Sequence, residues 1–214
     1  MYKIVGYYIV EKITAPDYLE IECDEMITVS ECFSEIHPDL TYCYFSNNRK
    51  KERVEYCKKW NIDEDKALKL QEDIDLMFQN RIAIDGRFLR LEDAKRICKE
   101  YFDSERCVIV SVSTTEEYYQ KITDDIMENS NSINDFFTGI LDENEFLGYD
   151  ILGWDCGGFH TFLCNSLHKN EELLKFNKYC LLENDFGFVE DFAKQIQGKG
   201  EPVEWIPCRI GKCE

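Results

Sequence analysis

Long hydrophobic runs are missing from this chain. No stretch approaches the roughly 18 uncharged apolar residues of a membrane-crossing helix, so no spanning segment is expected. The apolar start, Tyr2 to Val10, ends at Glu11 and Lys12 with no basic lead-in and no small-residue cleavage site. That pattern argues against a secretory signal, and a cytoplasmic protein is the expectation. Proline and glycine are also scarce, at 4 and 11 residues. Without a Pro/Gly/Ser linker, a repeat or a low-complexity tract, no firm boundary divides the chain. It reads as one globular domain over 1–214, with the polar stretch 128–146 the place where a division into two lobes would fall.

Basic residues are outnumbered, 25 Lys and Arg against 43 Asp and Glu, for a net charge of −18. A field of that sign repels phosphate backbones and anionic membranes and attracts basic surfaces. Direct nucleic-acid and membrane binding are therefore not expected, and a basic protein is the favoured partner. Gly-rich phosphate loops and a Ser nucleophile elbow are absent as well. No cofactor is expected. What the chain does have is 44% hydrophobic and 14% aromatic residues over 214 positions, enough to bury a core without a metal or disulfide.

Cysteine is plentiful, at eleven residues, but the number is odd and no C-x2-C pair occurs. Cys43, Cys98 and Cys107 stand where apolar residues belong, which reads as reduced, buried thiols in a reducing compartment. Cys208 and Cys213, separated by four residues, have no partner pair at zinc-site spacing and read as incidental.

Hydrophobic periodicity predicts strands over 2–10, 25–29, 39–45, 107–112, 146–154 and 203–206, with shorter ones over 81–84, 87–90 and 179–182. Pro202 and Pro207 suggest an edge position for the strand between them. Helices are predicted over 49–60, 63–78, 91–102, from Glu116 onward, 159–174 and 185–197. Two overlapping capping boxes, Ser113 with Glu116 and Thr114 with Glu117, would start the helix after the 107–112 strand. The fold class that follows is α+β, a mixed, mainly antiparallel sheet with several packed helices.

The densest chemical constellation runs from Gly153 to Cys164. A cysteine at a helix N-terminus gains thiolate stabilisation from the helix dipole, which makes Cys156 the candidate nucleophile. The string Asp155-Cys156-Gly157-Gly158-Phe159 resembles the Asp-Cys-Ser-Gly-Phe nucleophile motif of the NlpC/P60 cell-wall peptidases. The resemblance covers five residues and implies a cysteine hydrolase with Cys156 on the first turn of a helix. It also implies a catalytic His on a strand well downstream. After Cys156 the chain has only His160 and His168, both inside the predicted 159–174 helix.

Within that helix His160 and Cys164 are one turn apart and could chelate one metal ion, with Asp150 or Cys156 as further ligands. Paired carboxylates such as Asp124-Asp125 read as a solvated face in so acidic a chain.

No complete catalytic set emerges. The profile is that of an acidic, non-enzymatic binding module that engages and inhibits a basic toxin or nucleic-acid-binding enzyme, as immunity proteins and charge mimics do. Its expected interface joins Asp142, Glu143 and Glu145 with Phe136, Phe137, Phe146 and Tyr149, because carboxylates speed association and aromatic anchors carry binding energy. Asp63 to Asp75 is the second choice. The alternatives are a cysteine-dependent hydrolase using Cys156 and a zinc-stabilised structural protein.

Overall fold

The computed structural model describes residues 2–33, 50–79, 83–84, 87–128, 145–155 and 158–213. The predicted strand at 39–45 and the residues Phe136, Phe137, Asp142, Glu143 and Cys156 lie outside this set.

The described residues form an α+β fold around one antiparallel sheet of seven strands. In chain order the strands are β1 (Tyr2–Glu11), β2 (Ala83–Ile84), β3 (Arg87–Phe88), β4 (Cys107–Thr115), β5 (Glu145–Asp155), β6 (Gly158–Thr161) and β7 (Ile206–Cys213). Their order across the sheet is β2-β3-β1-β4-β7-β5-β6. The helices are α1 (Lys50–Trp60), α2 (Glu64–Gln79), α3 (Leu91–Tyr101), α4 (Glu116–Glu128) and α5 (Phe186–Gln195).

Strands β1 and β4 are buried at nearly every position because both faces are covered. Ile4, Tyr7 and Ile9 pack with Ala67, Leu70, Ala94, Ile97 and Tyr101 of α2 and α3. Val5, Tyr8 and Val10 pack instead with Val108, Val110, Tyr118, Tyr119 and Ile122. The change of parity after Ile4 comes from a bulge between Ile4 and Gly6 in the pairing with β4. Gly6 lies beneath the Arg87 side chain, and a Cβ there would meet Arg87 Cγ at 2.3 Å. At the far end of β1 the buried Glu11 carboxylate pairs with Lys59, at 3.2 Å, and with Arg106.

Three readings of secondary structure need correction. The Val203–Ile206 strand was expected at an edge, yet β7 begins at Ile206 and runs centrally between β4 and β5. Pro207 is tolerated near the start of the strand, where its carbonyl accepts the Thr114 hydroxyl at 2.7 Å. That bond also takes Thr114 out of the expected capping box, and β4 runs on to Thr115 before α4 starts. The 159–174 helix does not form. Gly158–Thr161 is the edge strand β6, followed by two 3-10 turns, Phe162–Asn165 and Leu167–Asn170, parted by Ser166 at φ 54°.

Residues 12–33 form an arm along the C-terminal half of the chain. Ile13 bridges Met26, the amides of Asp24 and Glu25 donate to the Lys178 carbonyl, and Ile27 N–H donates to Tyr179. Leu19 and Met26 enter a third apolar cluster with Ile151, Phe162, Val189, Phe192 and Trp205. Leu19 also accepts a hydrogen bond at 2.8 Å from Nε2 of the buried His168. Cys23 is bonded to Cys180 across 157 residues, which corrects the expectation that every thiol is reduced. Among the described residues no helix is long and apolar enough to cross a membrane.

Asp150, only 3% exposed, faces Cys208 across the β5–β7 pair. Its carboxyl accepts the Thr161 hydroxyl at 2.6 Å and the Ile151 amide at 2.8 Å, yet burial pushes its pKa up to about 7. Because the folded state holds this proton more tightly than the unfolded chain, the protonated form's advantage is complete below the unfolded value of 3.8. It is lost as pH rises through about 7. The stability of Asp150→Asn relative to the native chain should therefore rise by about 2–4 kcal/mol between roughly pH 4 and 8. Denaturant titrations at several pH values check this, and a difference independent of pH would contradict it.

Candidate functional site

Strand β6 is the last strand of the sheet, and its free edge is met by the arm. Ser30 makes a parallel bridge to Phe159, and the Glu31 amide donates to the Phe159 carbonyl at 3.0 Å. Phe159 anchors the strand by packing against Trp154 and Tyr8, at 5.0 and 6.0 Å between ring centres. Side chains alternate along a strand, so burial of Phe159 turns His160 to the other side. The chain then bends at Thr161 into the 3-10 turn that carries Cys164.

On the arm, Ser30 folds the next residues into a tight turn. Its amide donates to Thr28 Oγ1 at 3.1 Å, its hydroxyl accepts the Cys32 amide at 3.3 Å, and its carbonyl accepts the Phe33 amide at 3.2 Å. The turn points Cys32 at the β6 edge. Its sulfur lies 3.2 Å from His160 Nδ1, and Cys164 Sγ lies 3.3 Å from Ser30 Oγ. The ligand atoms of Cys32, His160 and Cys164 all fall within 4.8 Å of one another. Cys32 is exposed and Cys164 half-buried.

Glu31 completes the arrangement from behind, with Oε1 3.4 Å from His160 Nε2. A carboxylate there orients the ring, so that Nδ1 faces the two sulfurs. Glu31 reaches this place across Gly158. A Cβ on Gly158 would meet Glu31 Oε2 at 2.6 Å.

The electrostatics separate the two thiols. The hydrogen bond from Cys164 lowers the Cys32 pKa to about 5 against the effect of burial, with His160 and Ser30 adding to it. The same hydrogen bond, with burial, raises Cys164. Cys32 is thus a thiolate near neutral pH, the form that attacks electrophiles and binds metals. By contrast, burial pushes the thiols of Cys98 and Cys107 up to about 11 and about 12, and that of Cys208 well above its ordinary value.

No family model matches the chain, and neither a curated protein nor a solved structure matches it. The site is therefore read from its own geometry.

The structure brings His160 and Cys164 together by a different route from the helical one expected. His160 stands on a strand and Cys164 on a 3-10 turn, with Cys32 joining them from 128 residues away. His168 is not part of the group. It is buried between Phe162 and Phe176, and desolvation holds its pKa below the ordinary value. Asp150, weighed as a further ligand, is committed to Thr161. Cys156 lies outside the described residues, and the helix meant to carry it is replaced by β6.

Of the expected partner interface, Glu145, Phe146 and Tyr149 lie on β5. Phe146 and Tyr149 join Tyr2 and Phe186 in an aromatic group, with the Arg209 guanidinium 4.1 Å over the Phe146 ring. In the second-choice segment, Asp63 caps α2 through the Lys66 amide, and Asp73 accepts from Tyr101 and Arg96.

Sequence reasoning passed over Ser30, Glu31 and Cys32. One local signal was present: unlike Cys43, Cys32 stands among polar neighbours, Ser30, Glu31, Ser34 and Glu35, where a buried hydrophobe has no place.

Two measurements follow. Denatured without reductant, seven of the nine described cysteines should react, with the Cys23–Cys180 pair staying bonded. In chelator-treated native protein, alkylation of Cys32 followed by peptide mapping should titrate near pH 5, and Cys164→Ala should move that midpoint upward. An unmoved midpoint would remove Cys164 as the main cause.

Proposed function

We propose that the protein is a zinc-binding protein whose Cys32, His160 and Cys164 hold one ion, and that the ion fastens the N-terminal arm to the edge of the sheet. The observation that carries this reading is the convergence, within 4.8 Å, of two sulfurs and an imidazole nitrogen from two distant chain segments. Two thiolates and one imidazole form a donor set that suits zinc, while calcium and magnesium take oxygen ligands.

The surroundings support it. Glu31 on the far nitrogen of His160 is the carboxylate–histidine arrangement that orients a ligating imidazole and raises its basicity. Ser30 Oγ, beside Cys164, can donate to a metal-bound thiolate. Three protein ligands leave one tetrahedral position for water or a fourth donor, and no fourth His, Cys, Asp or Glu joins the group among the described residues. Binding to the folded state alone stabilises that state by mass action.

Protein purified from zinc-containing medium should carry about one zinc per chain, and cobalt substitution should give thiolate-to-cobalt charge-transfer absorption. Cys32→Ser and Cys164→Ser should each lose the ion. Glu31→Gln should weaken binding by about 10–100-fold, the usual effect of removing a partner behind a ligand. A native chain that takes up neither zinc nor cobalt would overturn the reading.

A second reading concerns the acidic charge, and the aromatic group on β5 favours it. Phe146 is 42% exposed beside Glu145 and packs on Tyr149, which meets Phe186, which in turn meets Tyr2. On this reading the protein engages a basic protein partner through the β5 surface, with charge steering the approach and Phe146 as anchor. Association with that partner should slow several-fold as salt screens attraction beyond about 8 Å at physiological strength. Phe146→Ala should mainly speed dissociation. An acidic partner or a salt-insensitive on-rate would contradict it.

A further inference from the structure

The two sulfurs of the centre differ in access. Cys32 is exposed on its turn, while Cys164 is half-buried behind it. They are linked by a thiol hydrogen bond, and both lie within the 4.8 Å group. Cys98, Cys107, Cys208 and Cys213 are buried in the cores, and the half-buried Cys57 packs against one of these cores. An exposed cysteine with a second thiol in contact is the arrangement in which oxidation ends at a disulfide, because the second sulfur intercepts the first product before it is oxidised further. His160 Nδ1, 3.2 Å from the Cys32 sulfur, and Ser30 Oγ, 3.3 Å from the Cys164 sulfur, are placed to pass protons as the sulfurs react.

We propose that Cys32 and Cys164 form a dithiol that hydroperoxides oxidise to an intramolecular disulfide, releasing the bound ion; the release rests on the zinc reading above, and the oxidation does not. In the first step the Cys32 sulfur attacks one peroxide oxygen and the O–O bond breaks. The departing alkoxide or hydroxide takes a proton, and Cys32 becomes a sulfenic acid. In the second step the Cys164 sulfur attacks the Cys32 sulfur, the S–S bond forms, and the hydroxyl leaves as water after taking a proton. Two thiols are oxidised by two electrons and one hydroperoxide is reduced to an alcohol and water. Zinc then has His160 alone from this group, since disulfide sulfur is a poor ligand. A thiol reductant reverses the change by exchange and restores both ligands.

The Cys23–Cys180 bond makes this switch local. It fastens the same arm to the same half of the chain, so the arm stays attached when the centre opens.

The test uses the full native chain. Zinc-loaded protein is treated with hydrogen peroxide, with release followed by a chromogenic chelator, thiols counted, and peptides mapped without reduction. The expected result is one zinc released for every two thiols lost, a peptide pair joined through Cys32 and Cys164, and recovery of both thiols and zinc binding after dithiothreitol. In the zinc-free chain, Cys32→Ser should slow the loss of the Cys164 thiol to peroxide by about tenfold or more, as loss of the exposed attacking sulfur requires. In Cys164→Ser, a sulfenic acid on Cys32 should be trapped by dimedone.

Zinc retained with both thiols intact under excess peroxide would overturn the inference and leave the zinc reading standing. A Cys32–Cys164 disulfide in protein that never bound zinc would support the dithiol and overturn the zinc reading. Cys32 ending as sulfinic acid beside an intact Cys164, or joined to another cysteine, would overturn the inference.

Discussion

The pairing of Ser30 and Glu31 with Phe159 is the contact on which the candidate centre depends. It covers the free edge of β6, lays Glu31 over Gly158 behind His160, and aims Cys32 at His160 and Cys164. A backbone hydrogen bond contributes only about 1 kcal/mol net, so this pairing does not hold the arm by itself. The arm is secured further back. Leu19 and Met26 are buried in the third cluster, the amides of Asp24, Glu25 and Ile27 are bonded to Lys178 and Tyr179, and Cys23 is joined to Cys180. A native disulfide closing so long a loop contributes a few kcal/mol, about 2–5 by experience with small domains. Covalent and apolar contacts thus bring the arm into range, and the edge pairing sets the orientation of its last residues.

The edge itself explains why these residues face one another. An unpaired strand edge offers backbone donors and acceptors that invite pairing with another chain, and proteins cover such edges. Here the cover is a segment of the chain itself, and it carries polar and ionisable side chains at the point of contact. Ser30, Glu31 and Cys32 meet Gly158, His160 and Cys164 there because both backbones are fixed, one by the sheet and one by the turn. The small size of Gly158 lets the carboxylate approach so closely. A site assembled from an edge strand and its cover forms only when both are in place, which couples its chemistry to the attachment of the arm.

Much of the framework was legible from local patterns. The continuous apolar runs of β1 and β4 require strands covered on both faces. The spacing of Leu91, Ala94, Cys98 and Tyr101 puts one buried stripe on α3. Asp185 caps α5 through the Phe188 amide, inside the helix predicted over 185–197. The antiparallel pair Ala83–Ile84 and Arg87–Phe88 lies within the short strands predicted over 81–84 and 87–90. His160 and Cys164 were also visible as neighbours, though through a helix that does not exist. Phe159, Phe162, Leu163, Leu167 and Leu174 mimic helical spacing, but pairing of Gly158–Thr161 with β5 outweighs it, and Ser166 in the left-handed region interrupts the rest.

The sequence by itself determined the α+β class, the positions of most long elements and the strong negative charge, since each follows from periodicity or composition over a short window. Tertiary structure alone decided the partners across long separations. Pro202 and Pro207 suggested an edge strand, but β7 is central because Ile206, Cys208 and Ile210 complete the core between β4 and β5. Nothing local distinguishes Cys23, bonded to Cys180, from the reduced cysteines, because a disulfide depends on the meeting of two Cβ vectors 157 residues apart. Cys32 likewise acquires its meaning only when the arm crosses 128 residues of sequence separation to reach His160. Local pattern records which residues are apolar or polar at a given period; it holds no record of which distant edge a segment will cover.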